Sequence, residues 1–154
     1  MPSSPALLPP LGDQAARVVL RQVYAPGDQD VWVTGEIESG LSFFHDVVDD
    51  VRRRTPILLH WDGARWTREV VPHAEDLSGG VLAPDGSGGL WVETVSGSTS
   101  PPHHRSATGI WSFDTMNAGR GNPVVYGMTL IPGTAQTWAI GQYLARGDYA
   151  VHSS

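Results

Sequence analysis

The chain has 154 residues but no cysteine and no lysine. Without cysteine there is no disulfide and no thiolate chemistry, and the redox compartment stays open. Without lysine all ten basic side chains are arginine, which reads as a GC-rich, bacterial coding bias. Charge is scarce at 17% of residues, whereas 18 glycines and 12 prolines are abundant. That balance excludes a helical bundle and suits an all-β chain with many tight turns. The net charge of −6 comes with no basic stripe, so nucleic acid is not an expected partner. Long apolar runs are also missing. The N-terminal MPSSPALLPPLGDQ has no basic region and only a short apolar stretch, unlike a signal peptide or a spanning helix. As written the chain reads as cytoplasmic with no membrane partner, and as extracellular if it is a trimmed fragment.

What the chain does have is an imperfect repeat. DVWVTGE around Trp32, GLWVETV around Trp91 and TWAIGQ around Trp138 each follow an apolar stretch and a Pro/Gly/Asp turn. The interval is roughly 50 residues, the size of one four-stranded propeller blade. Residues 1–16 read as a flexible Pro-rich leader and residues 17–154 as one domain, with repeat units at about 17–76, 77–123 and 124–154. In the first unit RVVLRQVYA, VWVTGE, PILLHW and RWTREVV read as strands, with Asp62-Gly63 as a hairpin turn between the last two. The unbroken apolar run in PILLHW fits a strand covered on both faces. An insertion at 39–55 separates the second and third strands, and its FFHDVVDDV fits a short helical turn or a long hairpin loop. In the second unit SGSTSPPHHRS reads as a loop, ATGIWSFD as the third strand, and no outer strand is evident. The third unit stops one strand short.

In their order these segments resemble the tryptophan-rich propeller repeats common in bacterial proteins, where a hairpin like PILLHWDGARW alternates with a strand like DVWVTGE. PDGSGGLWVET followed by GIWSFD is similar to the two-component-regulator type of propeller repeat. The resemblance covers roughly residues 17–152. It implies four-stranded antiparallel sheets and a binding or sensing platform, not a particular activity. Propellers close with about four to eight blades, whereas this chain has two reasonably full units and a partial one. The expected fold is therefore an incomplete ring, either a fragment or a half-propeller, and a homodimer is one way to complete it.

Trp32, Trp91 and Trp138 share one repeat position, and Trp61 and Trp111 are expected to share another. Aromatics at repeat positions belong to the core or to contacts between blades. Trp66 opens an outer strand and is the tryptophan expected to be partly exposed. The histidines, including the adjacent His103 and His104, read as solvated loop residues, since no HxH or HExxH spacing offers a metal site. Asp85 sits in PDGSG, which an Asp-Gly turn explains without an ion. Asp46, Asp49 and Asp50 make the insertion acidic.

The sequence has no GxSxG elbow, no Walker A loop and no dinucleotide fingerprint, so it implies no cofactor. The function expected is a non-catalytic interaction or recognition module. Its surface would be the loops at 37–55 and 96–106 with the turn at Asp85, and the candidate contacts are Trp66, Asp46, Asp49, Asp50, Asp85, His103 and His104. The ligand would be a protein or a carbohydrate. Two alternatives stand beside it. One is a glycan-active hydrolase or lyase using carboxylates such as Glu36 and Glu93. The other is a truncated propeller fragment without independent function.

Overall fold

The computed structural model describes residues 8–11, 17–39, 53–72, 80–93, 102–113, 123–143 and 147–152. Among the described residues, eleven strands form three antiparallel sheets. The first sheet holds β1 (Arg17–Gly27), β2 (Asp30–Ser39), β3 (Arg53–Trp61) and β4 (Trp66–Glu69). The second holds β5 (Val81–Pro84), β6 (Leu90–Glu93), β7 (His103–Arg105) and β8 (Trp111–Phe113). The third holds β9 (Pro123–Leu130), β10 (Thr137–Tyr143) and β11 (Gly147–His152), with β10 in the middle. Each sheet is a meander of neighbouring strands, and the three do not close into a ring. The fold is thus all-β and propeller-like, as the repeat implies.

Turn chemistry sets the hairpins. Between β3 and β4, Asp62 Oδ1 accepts hydrogen bonds from the Ala64 and Arg65 amides, each at 2.9 Å. Gly63 beside it has φ +88°, a backbone conformation that costs glycine little. β2 and β3 stay paired out to Ser39 and Arg53, so the insertion joins two paired strand ends. Its residues 40–52, with Asp46, Asp49 and Asp50, lie outside the described residues.

The run in β3 is buried on both faces, as its continuity suggests. Leu58 joins Trp32, Leu82, Leu90 and Val92 in the core between the first two sheets. Ile57 and Leu59 point the other way, into a cluster with Val33 and Ile37 against which Leu11 packs. A strand with side chains alternating between two apolar environments has no polar face to alternate with.

The second unit corrects the sequence reading. His103–Arg105 is a strand, the third of its sheet, and Trp111–Phe113 is the fourth. The unit therefore has its outer strand, and what reads as a loop supplies the strand inside it. Polar residues next to Pro101 and Pro102 hide a strand whose partners on both sides complete its hydrogen bonds.

β5 is the edge strand nearest its neighbours, and side chains of both other sheets cap it. The Gln22 carboxamide donates to the Leu82 carbonyl at 3.0 Å and accepts from the Leu82 amide at 2.8 Å. The Thr34 hydroxyl donates to the Gly80 carbonyl and the Thr137 hydroxyl to the Pro84 carbonyl, both at 2.8 Å. Because Leu82 is buried, losing the Gln22 amide strands two backbone groups. Gln22→Leu is expected to lower stability in urea unfolding by about 2–4 kcal/mol, and Thr34→Val by about 1–2 kcal/mol.

Candidate functional site

The repeated tryptophan meets a histidine across each sheet. The strand registers pair Trp32 with His60, Trp91 with His104 and Trp138 with His152. In the first sheet the two rings stack 3.8 Å apart and 9° from parallel. In the second they sit 4.5 Å apart and tilted by 32°. An aspartate from the preceding turn holds each of these two imidazoles. His60 Nε2–H donates to Asp30 at 2.9 Å, and His104 Nε2–H donates to Asp85 at 2.8 Å. A carboxylate only accepts, so these bonds fix the proton on Nε2 in both rings.

Of the histidines expected in solvated loops, His60, His103, His104 and His152 are strand residues, and His45 and His73 lie outside the described residues. His60 and His104 belong to Asp–His–Trp arrangements, and His103 is 1% exposed. His60, His104 and His152 each lie opposite a repeat tryptophan. Only the register makes this visible. The register also revises the second tryptophan position. Trp111 pairs with Arg105 as Trp66 pairs with Trp61, so Trp111 matches Trp66 and Trp61 matches Arg105. Trp66 is partly buried, tilted against Trp61 at 5.7 Å and packed on the cluster around Leu59.

Asp85 organises the turn between β5 and β6. Its carboxylate accepts from the Ser87 and Gly89 amides and the Ser87 hydroxyl, all at 2.7 Å, besides His104. Burial pushes its pKa up, but the bonds from His104, Ser87 and Gly89 outweigh it, and the net value lies below the usual carboxylate range. Glycine is required beside it: a Cβ on Gly89 would come within 2.5 Å of the Arg105 carbonyl. Asp85 is thus a turn-fixing residue whose oxygens are already engaged.

At the rim carrying the β1–β2 and β5–β6 turns lies a groove of about 270 Å³, lined mostly by the first two sheets with Leu130 of the third at its side. Tyr24, Pro26, Asp30, Leu90 and Arg105 line it with the glycines of the Asp85 turn. Arg105, from β7, is one of the lining residues. Its guanidinium lies 4.9 Å from the Trp32 ring and donates to Glu69 at 3.4 Å, and its Nε has no hydrogen-bond partner. Tyr24 has a raised pKa, first from burial and then from the Asp30 and Asp85 charges, so its hydroxyl stays protonated at neutral pH.

Glu36 and Glu93 do not come together. Alternation puts Glu36 on the side of β2 that carries Trp32, facing the second sheet. Glu93 shares the side of β6 with Trp91, opposite the Leu90 and Val92 that meet Trp32. The second sheet separates the two carboxylates. Glu36 is buried and paired with Arg21. Neither lines the groove. Among the described residues, no three acidic or histidine side chains converge as a metal site, and no helix is long and apolar enough to cross a membrane.

The geometry defines an unclosed stack of antiparallel sheets with a polar groove at one rim. No family model, curated protein or solved structure matches the chain.

Asp85 makes a pH prediction. Its folded pKa is lowered, so near and below the unfolded value of about 3.9 the unfolded chain binds more protons. The stability it contributes is present above that value and lost as pH falls through the folded pKa. Asp85→Asn should therefore flatten the fall of the melting temperature as pH drops below about 4, measured by circular dichroism through the acid range.

Proposed function

We propose that the chain is a non-catalytic recognition module built on propeller-type repeats, and that its ligand seats in the groove between the first two sheets. The observation that carries this reading is the groove's lining. A protonated phenol, a carboxylate and a guanidinium edge converge on a space enclosed by proline and glycine backbone. Small-ligand sites typically occupy about 300–1,000 Å³, so this groove suits a single small unit. Donors and acceptors in rough balance favour a neutral hydroxylated ligand, such as one sugar residue of a glycan, over an ion.

The position supports the same reading. Turns at one rim of a repeat scaffold vary while the strands beneath them stay fixed. The Asp85 turn, expected to form part of the surface, contributes Gly86, Gly88 and Gly89 to the groove. The 96–106 region contributes Arg105, from a strand.

Isothermal titration calorimetry with neutral mono- and oligosaccharides, amino acids and inorganic anions tests it. We expect saturable binding of a neutral sugar. Tyr24→Phe and Asp30→Asn should each weaken it about tenfold, the loss of one good hydrogen bond, with little change in melting temperature. Binding of none of the sugars, or binding unaffected by both substitutions, would overturn the assignment.

A further inference from the structure

The first and second sheets are joined by a repeated piece of chemistry, and each end of the stack presents half of it. In the internal joint, Trp32 of the first sheet packs against Leu82, Leu90 and Val92 of the second and is 5% exposed. One half of the joint is therefore the tryptophan side of a sheet. The other half is the opposite side of the next sheet, led by the residue of its first strand that pairs one step beyond the tryptophan. In the second sheet that residue is Leu82, which pairs with Val92 and is 2% exposed.

The third sheet repeats the first half. Trp138 holds the position of Trp32, pairs with His152 as Trp32 pairs with His60, and is 40% exposed with Ile140 beside it on the same face. The first sheet repeats the second half. Val23 pairs with Val33, one step beyond Trp32, as Leu82 pairs with Val92 beyond Trp91, and Val23 is 63% exposed. Leu20 and Val18 extend this exposed strip along β1. Leu11 lies on the β2–β3 part of the same face, so the strip is confined to the innermost strand.

We infer that a second copy of this chain covers both surfaces, the Trp138 face of one copy packing on the Val23 strip of the other, twice over about a two-fold axis. Trp138 and Val23 hold the positions that Trp32 and Leu82 hold in the internal joint, while Val33, at the position of Val92, is already buried in the cluster that Leu11 packs on. Two chains of three sheets also fall within the range of about four to eight blades that close a ring. This inference is independent of the ligand assigned to the groove.

Light scattering coupled to size exclusion tests it on the full chain. The expected mass is twice the 16.6 kDa of one chain. Trp138→Arg and Val23→Asp should each give monomers, since each spoils both joints of a ring. Mixed in equal amounts, the two variants should recover a heterodimer, because one intact joint remains. A monomeric wild type, or a Val23→Asp variant that stays dimeric because Trp138 faces meet each other, would overturn the proposal. So would a mass that grows past two chains with concentration. Cross-linking covers the case of a misfolded variant. The chain has no cysteine, so Trp138→Cys and Val23→Cys can be placed singly and mixed. A short bis-maleimide should link position 138 to position 23 and leave either variant alone unlinked. Linkage of 138 to 138 contradicts the head-to-tail joint.

Discussion

The capping of β5 holds the three sheets in their order. An edge strand presents unpaired amides and carbonyls, and in a sheet stack these point at the neighbouring blades and not at water. The second sheet solves this with three side chains from outside itself. Thr34 and Gln22 come from the first sheet and Thr137 from the third, and together they take the carbonyls of Gly80, Leu82 and Pro84. Gln22 also accepts from the Leu82 amide, so its carboxamide replaces one residue of a missing strand. These polar contacts are directional where the apolar packing is not. Leu82, Leu90 and Val92 would tolerate a sliding neighbour, but the spacing of alternate carbonyls would not. Register between sheets is set at this edge.

The tryptophan–histidine pairs work within the first and second sheets. Stacking an imidazole on an indole fills the space beside the strand, and the aspartate holds the imidazole in place from the turn. This ties a hairpin turn to a strand two positions away in the sheet. It also explains why the tryptophan repeats while the turns differ: Asp30 precedes its tryptophan by two residues and Asp85 by six, yet both reach the histidine opposite. Arg105 then links the arrangements, lying over Trp32 from the second sheet and reaching Glu69 on β4. A cation held between an aromatic face and a carboxylate is desolvated on two sides, which makes it a spacer between sheets as much as a ligand contact.

Much of the fold was legible because it rests on local signals. The tryptophan positions, the Asp62-Gly63 turn and the doubly buried run in β3 follow from pattern and turn chemistry. The strand at His103–Arg105 did not show, because its residues have low strand propensity and its stability comes from strands on either side. That omission misplaced Trp111 by one strand and left His103 and His104 in a loop. The site was less legible still. Gln22, Thr34 and Arg105 have ordinary identities in sequence, and what they do depends on a neighbour in another sheet. Asp85 stood out correctly as a turn residue, but which of its neighbours face the groove depends on how the carboxylate is satisfied.

Groove and scaffold divide the polar residues between them according to which still have capacity. Asp85 accepts four hydrogen bonds and His104 is held by one of them, so neither has much left to offer a ligand. Asp30 gives one oxygen to His60, remains half-exposed and lines the groove. Tyr24 pairs with Trp32 across β1 and β2, which puts its ring on the apolar side, where burial first and then the Asp30 and Asp85 charges raise its pKa. The first sheet therefore supplies the adaptable groups and the second the fixed wall of glycine backbone, where a Cβ on Gly89 has no room. A scaffold evolving toward a different ligand could change Tyr24 to another aromatic at little structural cost, whereas the residue at Asp30 must still accept from His60. Exchanging Asp85 or Gly89 would undo the turn that shapes the groove, so variation in specificity should collect on β1 and its turn and not on the β5–β6 side.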